Sequence, residues 1–111
     1  MEIAFRSRRI EKLCNSAKEM RAKLGERTAK VLQQRLAELK AADTLDDLGK
    51  MPGARCHELA GDRKGQLAVD LVHPKRLVFE PDHHPAPSKA DGGLDWQQVT
   101  RVLVVEIVDY H

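Results

Sequence analysis

The chain reads as an α+β protein, with helices early and strands late. Apolar residues recur at three- and four-residue steps before residue 42, and at alternate or nearly continuous positions after residue 66. Helices that precede the strands, instead of alternating with them, pack on one face of a mainly antiparallel sheet. A length of 111 residues suits one domain, taken as 1–111.

The elements follow in order. "EIAF" (2–5) alternates polar and apolar and predicts a short strand. Ser7 is placed to cap a helix whose stripe runs through Ile10, Leu13, Cys14 and Ala17, with Asn15-Ser16 as a possible break and Gly25 as its end. "ERTAKVLQQRLAELKAAD" predicts a second helix, with Ala29, Leu32, Leu36 and Leu39 on its buried face. Thr44 or Asp43 starts a short helical turn that Gly49, Pro52 and Gly53 close. "ARCHEL" is compatible with extended chain, and "GDRKG" (61–65) has the composition of a turn. "QLAVDLV" and "RLVFE", joined by "HPK", predict an antiparallel hairpin. Residues 81–98, rich in Pro, Gly and Asp, read as a long excursion before a last strand, "VTRVLVVEIVDY", apolar enough to be central. The resulting order is β-α-α-β-β-β.

Composition narrows the function. Phe5, Phe79, Trp96 and Tyr110 are the only aromatic residues, too few for a surface that reads single strands by stacking bases. No apolar run is long enough to span a bilayer, and "MEIAFRSRRIEK" lacks the apolar segment of a secretory signal. Cys14 and Cys56 read as reduced thiols, so a cytoplasmic protein is expected. Residues 1–40 carry 11 Lys/Arg against 5 Asp/Glu, although the whole chain is only +2. A basic first third fits either a polyanionic partner or a solvated helix surface.

Three segments are more specific: "CHELAGDRKGQLAVDL", "KRLVF" and the final "EIVDYH". In this order and spacing they resemble the HigB branch of the RelE/ParE toxin superfamily, over nearly the whole chain. The resemblance implies a RelE-like fold and a toxin of a type II toxin–antitoxin system. Such a toxin cuts messenger RNA on the translating ribosome without metal or other cofactor, and a HigA-like helix-turn-helix antitoxin silences it. The expected partners are therefore that antitoxin, the ribosome and messenger RNA, with no membrane.

The resemblance also assigns residues. Metal-free RNA cleavage uses the neighbouring 2′-hydroxyl as nucleophile, a base to take its proton, an acid for the leaving 5′-oxygen, and cations around the phosphate. Histidine suits both proton steps because its ordinary pKa, about 6.5, lies near cellular pH. His57 and His111 match the family's proton-transfer positions, in an order left open. Asp109 would orient an imidazole, and Tyr110 would donate to the phosphate or position the base. Arg63, Lys64 and Arg76 would bind phosphate, the guanidinium fork suiting two non-bridging oxygens. Arg8, Arg9, Lys12 and Arg27 on the basic helices would touch ribosomal RNA.

Ala60 departs from the pattern. HigB toxins often carry a lysine directly before "GDR", and this chain has alanine there. That keeps open a binding or regulatory module of the same fold with weakened cleavage. A ParE-like toxin acting on DNA gyrase is a further reading, although such chains do not typically end on "DYH". Asp82, His83 and His84 lack the spacing of a zinc site and read as solvated loop residues. Trp96 is expected to pack over the sheet edge, and Cys14 in the core.

Overall fold

A computed structural model describes residues 1–110. The first strand, β1 (Glu2–Phe5), is followed by α1 (Arg8–Asn15), α2 (Ala17–Leu24), α3 (Glu26–Ala41) and α4 (Leu45–Gly49). The strands β2 (His57–Glu58), β3 (Leu67–Asp70), β4 (Lys75–Pro81) and β5 (Arg101–Asp109) complete a five-stranded sheet. Its order is β1-β5-β4-β3-β2. β1 runs parallel to β5, and the other three pairings are antiparallel. The α+β expectation therefore holds.

Local chemistry sets the helix boundaries. Ser7 accepts from the Ile10 amide at 3.3 Å and starts α1, as its sequence position predicts. Ser16 accepts from the Glu19 amide at 3.2 Å. This second cap turns the possible break at Asn15-Ser16 into a boundary, so the expected first helix is two, α1 and α2. Gly25 separates α2 from α3 at φ 82°, a left-handed conformation that favours glycine. Thr44 and Asp47 form a reciprocal capping box at the start of α4.

One sheet face carries the core. Leu67, Val69, Leu77, Phe79, Val102 and Val104 are fully buried against Leu32, Leu39, Leu45 and Leu48. Each such side chain contributes about 1.5–3 kcal/mol on leaving water. The stripe on α3 differs from the expected one at one position. Leu36 is only partly buried, whereas Arg35 is 8% exposed. Its guanidinium donates from Nε to the Asp70 carbonyl at 2.6 Å, from Nη2 to the Gly53 carbonyl at 2.7 Å, and from Nη1 to Glu38 Oε1 at 3.1 Å. These three bonds offset the burial of a charge and tie α3 to the sheet.

The strands also differ in detail from the sequence reading. His57–Glu58 forms an additional edge strand that pairs with β3. β5, by contrast, is paired on both sides, by β1 and β4, as its apolar sequence predicts. Pro81 continues β4 opposite Val102, so the excursion begins at residue 82. A Ser88–Leu94 bridge and a short turn at Trp96–Gln98 organise it. Trp96 donates from Nε1 to Glu58 Oε2 at 3.0 Å, on the edge strand where sequence placed it. No helix among the described residues is long and apolar enough to cross a membrane.

Candidate active site on the polar face of the sheet

Strand alternation sends every second side chain to the face opposite the core. The registers make rows across it. His57, Ala68, Val78 and Glu106 form one, and Asp70, Arg76 and Val108 the next. Ala68 and Val78 are fully buried in the floor. Around them stand charged side chains that pair with one another. Arg76 Nε is 3.2 Å from Asp70 Oδ1, and Arg63 Nη2 is 3.3 Å from Glu106 Oε2. Arg63 also donates to Gln66 Oε1 at 2.9 Å, Gln66 donates to Glu80 Oε2 at 3.3 Å, and Arg6 pairs with Glu80.

His57 sits at the rim of this face. Its Nδ1 is 2.8 Å from the Arg55 carbonyl oxygen. A carbonyl only accepts, so Nδ1 carries a proton, and the tautomer this contact selects has its lone pair on Nε2. Arg55 itself has φ 49°, a left-handed backbone seldom adopted by a long side chain. The amide of Asp70 donates to the Ala54 carbonyl at 2.8 Å and anchors this bend. His57 lies one row and two strands from Arg76, which places their Cα atoms roughly 12 Å apart by ordinary sheet spacings.

Tyr110 extends β5 by one residue, its amide donating to the Pro74 carbonyl at 2.7 Å. Its ring centroid is 4.8 Å from the Arg76 guanidinium carbon, a cation–π contact. Asp109 points the other way. It pairs with Lys75 at 2.9 Å, beside a groove lined by Ile10, Leu13 and Ile107 on the helical side. His111 lies outside the described residues. Lys64 is exposed next to the short Gly61–Arg63 turn.

The structure thus gathers His57, Arg63, Arg76 and Tyr110 on one face and sets Asp109 on the other. Arg8, Arg9, Lys12 and Arg27 are exposed on the helical layer, across the sheet, with Lys12 3.7 Å from Glu19. The site reading by sequence missed Arg6, Arg55, Gln66, Asp70, Glu80 and Glu106. The alternation of "QLAVDL" was legible, but which polar residue meets which depends on register. The thiols take no part in this cluster. Burial pushes Cys14 up to about 11, and burial together with the Glu58 charge pushes Cys56 up to about 12. Among the described residues no group of three or more His, Cys, Asp or Glu is placed to hold a metal ion.

In comparisons with known proteins, no family model and no curated protein matches this chain.

Proposed function

We propose that the chain is a HigB-like toxin of the RelE/ParE superfamily, a ribosome-dependent endoribonuclease that cuts messenger RNA. The observation that carries the reading is His57. A histidine with Nδ1 tied to a backbone carbonyl and Nε2 without a hydrogen bond among the described residues, on the same sheet face as an arginine stacked on a tyrosine, suits a base that shares a face with a phosphate ligand. The sequence resemblance supports the same assignment, and the α+β architecture of four helices and a five-stranded mixed sheet, in place of the expected β-α-α-β-β-β order, is compatible with it.

In this mechanism His57 Nε2 takes the proton of the 2′-hydroxyl. The 2′-oxygen attacks phosphorus, and the bond to the 5′-oxygen breaks. His111 protonates that leaving oxygen, on the strength of the resemblance alone. Arg76, with Arg63, stabilises the charge that builds on the non-bridging oxygens. The products are a 2′,3′-cyclic phosphate and a 5′-hydroxyl end. The ribosome supplies substrate orientation, an effect worth up to about 7–11 kcal/mol in well-positioned reactions. The exposed Arg8, Arg9, Lys12 and Arg27 would meet ribosomal RNA, giving salt-dependent binding. A HigA-like antitoxin is the silencing partner, and the setting is the cytoplasm.

A second reading has its own support. Arg6, Arg63 and Arg76 each face a carboxylate, which reduces the positive field on the polar face, and Ala60 replaces a frequent lysine. Those features favour a binding or regulatory module of this fold. Induced expression in a bacterial host, with growth followed and messenger RNA 5′ ends mapped, separates the two. Growth arrest with new in-frame ends is expected. Normal growth with intact messages from a soluble, folded protein contradicts the nuclease and favours the module.

A further inference from the structure

We infer that Asp70 is a positioning residue that aims the Arg76 guanidinium at a phosphate of the RNA backbone. The inference rests on the proposed phosphodiester chemistry and adds a residue that neither the resemblance nor the histidines bring in. Asp70 and Arg76 are direct cross-strand partners on β3 and β4. The carboxylate meets the guanidinium on its Nε edge, at 3.2 Å, while the Tyr110 ring packs on its face at 4.8 Å. A planar cation with a carboxylate at one edge and a ring on one face is restricted to small rotations. Its remaining side, the two Nη groups, donates no side-chain hydrogen bond among the described residues and faces away from the Nε edge that meets Asp70. That side is the fork that suits two phosphate oxygens.

Asp70 is itself unusually fixed. Its carbonyl accepts from the buried Arg35 at 2.6 Å and its amide donates to Ala54 at 2.8 Å. Its second carboxylate oxygen lies 3.4 Å from Arg55 Nε, an exposed pair that adds little. Oδ1 is buried and receives no aligned hydrogen bond among the described residues, even though Arg76 Nε lies within ion-pair distance. The contact is therefore ionic, with acceptor capacity in reserve. A small rotation of Arg76 brings Nε–H into line with Oδ1, which lets the fork adjust as it takes a phosphate. An acidic side chain in a phosphate site lowers the net charge, so it fits this place through orientation and not through attraction.

The test reads Arg76 directly. The side-chain Nε–H and Nη–H resonances of Arg76 are followed in the whole protein during titration with a short 2′-O-methyl oligoribonucleotide, which offers phosphates but no nucleophile. In the wild type RNA sharpens the Nε–H signal, as Nε–H comes into line with Oδ1, and shifts the Nη signals. Asp70→Asn, with cooperative melting retained, is expected to broaden the Nε–H signal and weaken the RNA-dependent shift about tenfold. Asp70→Glu keeps the charge but moves it by one methylene. It is expected to keep the Nε–H signal while weakening the RNA shift, and it serves if Asp70→Asn fails to fold. Unchanged Arg76 signals and affinity in either folded variant overturn the inference. The signature is independent of turnover. Its loss in Asp70→Asn supports the positioning role even if the wild type never cleaves RNA, and its persistence in an active nuclease removes Asp70 alone.

Discussion

The buried guanidinium of Arg35 on α3 donates to the backbone carbonyl of Asp70, the residue that meets Arg76 on the polar face, at 2.6 Å. The helical layer and the candidate site are thus joined through one backbone group. Arg35→Leu strands the carbonyls of Asp70 and Gly53 and leaves Glu38 without its partner. A destabilisation of about 2–4 kcal/mol is expected from the unsatisfied groups, read as a lower urea midpoint at unchanged slope. Arg35→Lys should recover only part of it, because one ammonium does not span three acceptors. A loss below about 0.5 kcal/mol, the level of ordinary surface changes, would show that the bonds are incidental.

The excursion after β4 is held by Trp96, which bonds Glu58 and lies over Gly49. A Cβ added at Gly49 would sit 2.8 Å from the indole ring. Gly49→Ala should therefore displace the ring, and because Trp96 is the sole tryptophan its fluorescence reports this alone. A red shift is expected with the global melt retained. An unchanged spectrum would mean that the ring is not seated there.

Both cysteines should resist alkylation at pH 8 in the folded protein and react fully in denaturant, since burial holds Cys14 up at about 11 and Cys56 up at about 12. The sign for stability follows. Folded pKa values above the unfolded value of 9.0 mean that this contribution is complete below pH 9 and is lost as pH rises towards 11–12. Denaturant midpoints of the wild type and a Cys14→Ala/Cys56→Ala variant, compared from pH 8 to 10.5, check it. Only the wild type should carry this extra alkaline loss.

Asp109 and Lys75 lie at 2.9 Å on the helical side, opposite the face that holds Arg76. Asp109→Ala and Lys75→Ala should change stability by under about 1 kcal/mol each and do so non-additively, as one exposed pair. If Asp109 acts on catalysis it does so from that side, and Lys75→Ala should then alter cleavage equally. A large effect of Asp109→Ala with none from Lys75→Ala would separate the carboxylate's role from this pair.

The legible parts of the sequence were those written as local patterns. Ser7, Gly25 and Thr44 mark their helix boundaries through single side chains or a left-handed turn, and the hairpin of β3 and β4 shows in its alternation and its "HPK" turn. Leu36 and Arg35 show where such patterns stop. Adjacent on one helix, Leu36 is only partly buried while Arg35 is buried, because carbonyls from two distant segments meet on the arginine. The same limit hid Asp70 and Glu106, whose partners are set by strand register. His57 was found by motif, yet its tautomer depends on the bend at Arg55.

The central claim is cleavage of ribosome-bound messenger RNA with His57 moving a proton. Purified wild type and His57→Ala are mixed with ribosomes programmed with a defined message and with the same message alone, and the cuts are timed and their ends typed. The account predicts fast cutting only on the ribosome, 5′-hydroxyl ends, and a rate about 10²–10⁴-fold lower in a folded His57→Ala protein. An unaltered rate in His57→Ala, or no ribosome-dependent cut by the wild type, contradicts it.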